Sequence, residues 1–263
     1  MVLLPSVLLP ADTQVTEGVV LIALFAGLFV LVEYGSTYPG LVEFRSAPPF
    51  NRTRFGILFM TVLLLAVACR AQTEPTTLSR LVAAIGLLVG QSVDVPLSPV
   101  RLVMWLLPEG TSITDAALVR TAAGLSYLVS LVGLTVFAIL IRLHSWPSPT
   151  GSFNVWINLP TFDPTAGADV VQQLRRDGSV NILLGIALPY FGPVAAYYIA
   201  RSYDLSILDS NLLLVWVMAL WAFLPASLFL RGIAMRRLAL MISTKRRRFS
   251  GPEGPADPAF MPA

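Results

Sequence analysis

Long uncharged apolar runs alternate along the chain with short segments that gather proline, glycine and arginine. Gly18 to Val32 is the first run, closed by Glu33 and Tyr34. At 1.5 Å per residue it is short for a hydrocarbon core of about 30 Å, so the predicted helix starts near Val15, with Glu17 and Glu33 at the interfaces. Phe55 to Cys69 is the second run, with Arg54 and Arg70 placed to snorkel at its two ends. Thr121 to Ile141, Gly178 to Ala200 and Ser210 to Leu230 are longer and carry no charge. Each predicts a helix that crosses a bilayer, with Pro189 and Pro193 inside the second of these three.

One stretch does not fit the pattern. Leu81 to Val93 is apolar but short, Asp94, Pro96 and Pro99 interrupt it, and Val100 to Leu107 follows with Arg101 inside. This segment, 81–108, predicts either one short helix plus an interfacial one or a re-entrant hairpin. Broken backbone at membrane depth is tolerated only where protein or water covers it. Asp94, beside Gln91 and Ser92, is then either a polar site within the membrane or the cap of the helix after it.

The connections read as follows. Residues 1–17 hold the near-repeat Val2-Leu3-Leu4-Pro5 and Val7-Leu8-Leu9-Pro10, whose prolines forbid a long helix and predict an apolar arm. Pro48 and Pro49 predict an extended 35–54 loop. Thr76 or Thr77 suits a helix cap. Ala168 to Asp177 predicts a short amphipathic helix ending at Gly178. Residues 145–162 are aromatic and poor in charge, with Trp146, Phe153 and Trp156 as candidate partner contacts. From Ser250 the chain is rich in Pro and Gly and is expected to be disordered. Ala122, Ser126 and Ser130 give one span a small-residue face, and Gly86 and Gly90 form a GxxxG pair; both suit close helix contact.

The expected fold is thus all-α: a polytopic transmembrane bundle of five spans plus a broken, re-entrant or short sixth segment. The spans fall at about 15–34, 53–70, 81–107 (broken), 118–142, 179–200 and 210–232, inside a bundle of residues 18–242 that lies between the arm 1–17 and the tail 243–263.

Composition agrees. Charged residues make up 13% of the 263 residues and hydrophobic ones 56%. A soluble domain carries roughly 25% charge, so a soluble enzyme and a nucleic-acid binder are excluded. All basic residues except Lys245 are arginine, a bias typical of a GC-rich bacterial source. The absence of Lys or Arg before Arg45 argues against a cleavable signal peptide. Asn51-Arg52-Thr53 matches a glycosylation sequon by chance.

Five spans with the N-terminus outside and six spans with it inside differ by one basic charge in the positive-inside balance. The acidic, cation-free N-terminus favours the first. Both place the C-terminus inside, because Arg231, Arg236, Arg237 and Lys245 to Arg248 follow the last run. The expected location is the bacterial inner membrane, with the C-terminus cytoplasmic and the N-terminus periplasmic. Of these residues Arg236, Arg237, Lys245, Arg246, Arg247 and Arg248 are the candidate contacts to anionic headgroups, at ~1 kcal/mol each.

The inventory limits chemistry. One cysteine, Cys69, excludes an internal disulfide and a cysteine-based zinc site. One histidine, His144, excludes a haem held between two histidines; a single haem or chlorophyll ligand there is the weak alternative to an interfacial histidine. The acids are scattered, with no density suited to Mg²⁺. The expectation is therefore no enzyme, no catalytic residue, no metal and no cofactor, with bound lipids and other integral membrane proteins as partners. The function expected is an accessory or assembly subunit of an inner-membrane complex. The alternative is a small-solute transporter or channel with its site near 81–108.

Overall fold

The structure is a computed structural model that describes residues 1–9, 13–38, 40–45, 47–144, 146, 158–160, 162 and 169–249; the side chains of 13–16, 48, 248 and 249 are not described. The described residues form helices and no strand. In chain order these are α1 (Leu4–Leu8), α2 (Thr13–Gly35), α3 (Pro48–Thr73), α4 (Thr77–Val93), α5 (Pro99–Trp105), α6 (Ile113–Leu143), α7 (Val170–Ser202) and α8 (Asn211–Phe249). Five of them, α2, α3, α6, α7 and α8, are long and apolar enough to cross a membrane. The chain is a membrane-spanning helical bundle.

Helix ends follow local chemistry. Thr76 caps α4 by accepting from the Ser79 N–H, and the Ser79 hydroxyl accepts in return from the Thr76 N–H. Ser98 caps α5, with Pro99 in its first turn, and Ser112 caps α6. Pro48 and Pro49 do not hold an extended loop as their sequence suggests; they open α3, where a missing N–H costs nothing. The amphipathic stretch after Ala168 is likewise no separate helix, because α7 runs unbroken from Val170 to Ser202. Gly178 lies inside it and serves close packing: a Cβ there would stand 3.0 Å from the Gly232 carbonyl of α8.

Antiparallel pairing sets the topology. The Phe50 ring meets Phe137 with centroids 6.1 Å apart, and Ile57 of α3 fills the space beside Gly133 of α6. So α3 ends where α6 begins, and the segment between them, with α4 and α5, makes no net crossing. At 17 residues α4 is about 26 Å long, below the core thickness. The two ends of the bundle are therefore distinct. A head end holds α1 and α4–α5. A tail end holds the α2–α3 loop and the run-out of α8.

Glycine makes the close contacts, as membrane helix packing requires. Gly86 and Gly90 of α4 lie against Thr121, Gly124 and Leu125 of α6, and a Cβ on Gly90 would fall 2.3 Å from the Arg120 carbonyl. The predicted small-residue face is buried: Ala122, Ser126 and Ser130 all point inward, and the Ser130 hydroxyl donates to the Ala222 carbonyl of α8 at 3.2 Å. Pro193 has no N–H to give the Pro189 carbonyl one turn earlier. The Trp221 indole N–H of α8 donates to that carbonyl instead, at 3.0 Å. A deleted helix bond thus becomes an interhelical one.

Two apolar cores result. One joins α3, α5, α6 and α8 toward the head end, around Val62, Leu65, Val119 and Leu214. The other joins α3, α6, α7 and α8 with the α2–α3 loop at the tail end, around Phe44, Phe50, Phe137 and Leu230. No described residue of α2 belongs to either.

Candidate functional site

Among the described residues three polar clusters stand out, each beside a break in helix. The first is the junction of α2 with its loop. Glu33 is buried, and its carboxylate accepts from the N–H groups of Gly40, Leu41 and Val42 at 2.9 to 3.3 Å. The Arg45 guanidinium donates to the carbonyls of Glu33 (3.1 Å) and Ser36 (2.5 Å), capping the end of α2 where a cation is favoured. The loop is thereby rigidly wound onto α2. Glu33 stands at the end of the α2 span, and the loop takes up its carboxylate.

The second place is the tail-end lock. Phe44 adopts a left-handed backbone (φ 53°), which an aromatic residue holds only under constraint. Its N–H donates to Asn158 O at 2.6 Å, and Asn51 Nδ2 donates to the carbonyls of Glu43 and Phe44. Its ring is wholly buried against Phe50 and Trp146. This turn drives Glu43 into the bundle. There both carboxylate oxygens accept from Arg231 of α8, Oε1 from Nη2 at 2.7 Å and Oε2 from Nε at 2.5 Å. Arg231 Nη1 also donates to Asn181 Oδ1 of α7 at 3.1 Å. Arg54 does not snorkel outward. Its guanidinium lies over the faces of Phe50 and Phe223, at 5.4 and 5.9 Å from the ring centroids. The Glu43 carboxylate thus lies near two guanidinium groups, and through Arg231 it ties the α2–α3 loop to α7 and α8.

The third place is the head-end clamp at Asp94. Ser98, not Asp94, caps the helix that follows; Asp94 ends α4 instead. Its side chain is 8% exposed and stands in ion pairs with Arg101 of α5 (2.7 Å) and Arg120 of α6 (3.1 Å). Arg101 Nη2 donates in addition to the Asp94 carbonyl at 2.7 Å. Gln91 faces outward and is exposed. Of the candidate pair Gln91 and Asp94, the arginines therefore engage Asp94 and leave Gln91 exposed. The break in 81–108 is covered by charge pairing of its own.

The remaining candidates fall as follows. His144 is exposed at the end of α6, with Nδ1 3.0 Å from the Leu140 carbonyl. Trp146 packs inside the chain, while Phe153 and Trp156 lie outside the described residues, as does the tail beyond Phe249. Arg236, Arg246 and Arg247 are exposed on α8, Arg237 and Lys245 are half-buried, and the Arg248 side chain is not described. Arg246 pairs with Asp169, the residue preceding α7, and this hydrogen bond holds the Asp169 carboxyl below its ordinary range. Sequence reasoning missed Glu43, Arg231 and Asn181 as partners. The one signal was the charged, Pro-flanked string from Glu43 to Arg52.

No known protein family, curated protein or solved structure matches the chain.

Proposed function

We propose that this chain is a non-catalytic accessory or assembly subunit of a larger complex in the bacterial inner membrane, with its C-terminus in the cytoplasm and its N-terminus in the periplasm. One observation carries the reading: α2 stands off the bundle while its end is firmly fastened. Its apolar side chains are exposed along its length, among them Leu21, Phe25 and Leu31 at 58%, 67% and 73%. In α4, α6 and α7, Gly86, Gly90, Gly124, Gly133, Gly178 and Gly185 meet a neighbouring helix, whereas a Cβ on Gly18, Gly27 or Gly35 of α2 would meet nothing within 4 Å. Small residues in a membrane helix suit close approach of a second helix. The Glu33 and Arg45 bonds set the angle at which α2 is presented. The occupant is a transmembrane helix of another protein.

The transporter alternative has less support, since Asp94 has both its oxygens engaged by arginines. The cationic run of α8 supports the orientation.

The test is purification in mild detergent followed by native electrophoresis. The wild-type chain is expected in an assembly larger than itself, and Gly27→Leu in α2 is expected to release it without unfolding it. A wild-type chain that runs only as a free monomer overturns the proposal. Orientation is checked separately, by protease added outside intact cells: the α8 tail is expected to survive.

A further inference from the structure

A groove of about 550 Å³ runs between α5, α7 and α8 at the head end, within the range of ligand sites. Its walls are aliphatic, with Leu107, Leu188, Met218 and Leu224 among them. The Trp221 indole N–H that borders it is already committed to the Pro189 carbonyl. Polar groups gather at one end only, where Tyr197, Arg201 and Ser206 line it. The site therefore has the polarity of an amphiphile, apolar along its length and cationic at its tip.

Further observations bear on the occupant. Leu220 and Leu224 line the groove and are 45% and 47% exposed, so its side opens toward the bilayer and not into a water-filled channel. From Leu188 to Arg201 the α7 wall rises about 20 Å, enough to take a chain from the headgroup level past the middle of a core about 30 Å thick. Arg201 is exposed in the last turn of α7, where its Nη1 donates to Tyr197 Oη at 3.4 Å; among the described residues it forms no ion pair. Neither Asp204 nor Asp209, the acids nearest to it along the chain, forms an ion pair among the described residues; Asp204 is exposed, and Asp209 accepts from the Ser206 N–H at 2.7 Å. Tyr197, Tyr198 and Tyr203 lie within four residues of it along the chain, the kind of aromatic residue found at headgroup depth.

The geometry points to a binding site for an anionic phospholipid, with its phosphate on Arg201 and one acyl chain in the α5–α7–α8 groove. A guanidinium is suited to phosphate by its forked donors. A zwitterionic lipid carries its own cation to the same place and loses that advantage. This site is separate from the α8 tail and from the α2 surface, and it stands whether or not the subunit reading holds.

The test uses the full chain in nanodiscs doped with phosphatidylglycerol bearing a photoreactive acyl chain, with the same label on phosphatidylcholine for comparison. Cross-links are mapped by mass spectrometry. The glycerol lipid is expected to mark the 217–224 segment several-fold more than the choline lipid does. Arg201→Gln is expected to reduce it to the choline level, and Ala196→Phe, which fills the groove, to abolish both. Equal marking by the two lipids in the wild-type chain overturns the proposal. So does marking spread as densely over α2 as over the groove, or competition by a free fatty acid but not by unlabelled phosphatidylglycerol. Should Ala196→Phe fail to fold, the wild-type ratio and the rim variant Arg201→Gln decide.

Discussion

Replacing Glu43 by Gln keeps the side chain's volume and removes its charge. In the folded chain Glu43 is nearly enclosed, and its two oxygens take two bonds from Arg231 at 2.5 and 2.7 Å. Without the carboxylate, Arg231 keeps Asn181 as an acceptor and Asp177 as a more distant countercharge, while the neighbouring Arg54 loses a neutralising carboxylate. Removing one partner of a buried ion pair costs about 3–5 kcal/mol. The Arg231 side chain is 30% exposed, so water repays part of this, and the expected loss is about 2–3 kcal/mol. The assay is a double-mutant cycle of Glu43→Gln, Arg231→Gln and both, by reversible unfolding in mixed micelles followed through tryptophan fluorescence. The double variant is expected to lose less than the sum of the singles by at least about 1.5 kcal/mol. A coupling below about 0.5 kcal/mol refutes the lock, since groups without shared partners add within that margin.

Other outcomes follow from single contacts. Trp221→Phe strands the Pro189 carbonyl and is expected to cost about 1–3 kcal/mol, whereas adding Pro193→Ala returns an N–H to that carbonyl and recovers most of the loss; no recovery counts against the assigned bond. Gly90→Ala forces α4 off the Arg120 backbone and is expected to lower the unfolding midpoint clearly, while Gly27→Ala in α2 leaves the monomer's midpoint unchanged. The Asp169–Arg246 pair holds the carboxyl low, so its contribution is complete above the unfolded value of about 3.9 and is lost as the pH falls through the folded one. Asp169→Asn is accordingly expected to make the end of α8 more open to protease at pH 6, and the difference is expected to shrink as the pH is lowered below about 3.9. Equal digestion of the two proteins at pH 6 removes Asp169 from this role.

Much of the bundle was legible because lipid imposes a simple code. Uncharged runs gave the spans, and Gly86, Gly90, Ala122, Ser126 and Ser130 gave contact faces that the structure buries. Local chemistry was legible only where one rule acted alone, as at Thr76. At Pro48 and Gly178 two uses of one residue compete, a turn or a helix start, a stop or a close contact, and tertiary packing decides. The locks were not legible at all. Glu43 and Arg231 are 188 residues apart, and a charged loop residue looks solvated until its partner is known. Asp94 looked like a site at depth because the sequence does not say that Arg101 and Arg120 converge on it.

That 188-residue separation also sets a clock on biogenesis. At about 5–20 residues per second, translation reaches Arg231 roughly 9–38 s after Glu43 has left the ribosome's active centre. The Ser130 hydroxyl and the Pro189 carbonyl wait for α8 as well, since Ala222 and Trp221 lie on it. The α3, α4 and α6 helices can pack on one another before then, but α7 meets its main partner only when the final helix arrives. A chain truncated before α8 should consequently enter the membrane and then be cleared as an orphan rather than persist half-assembled.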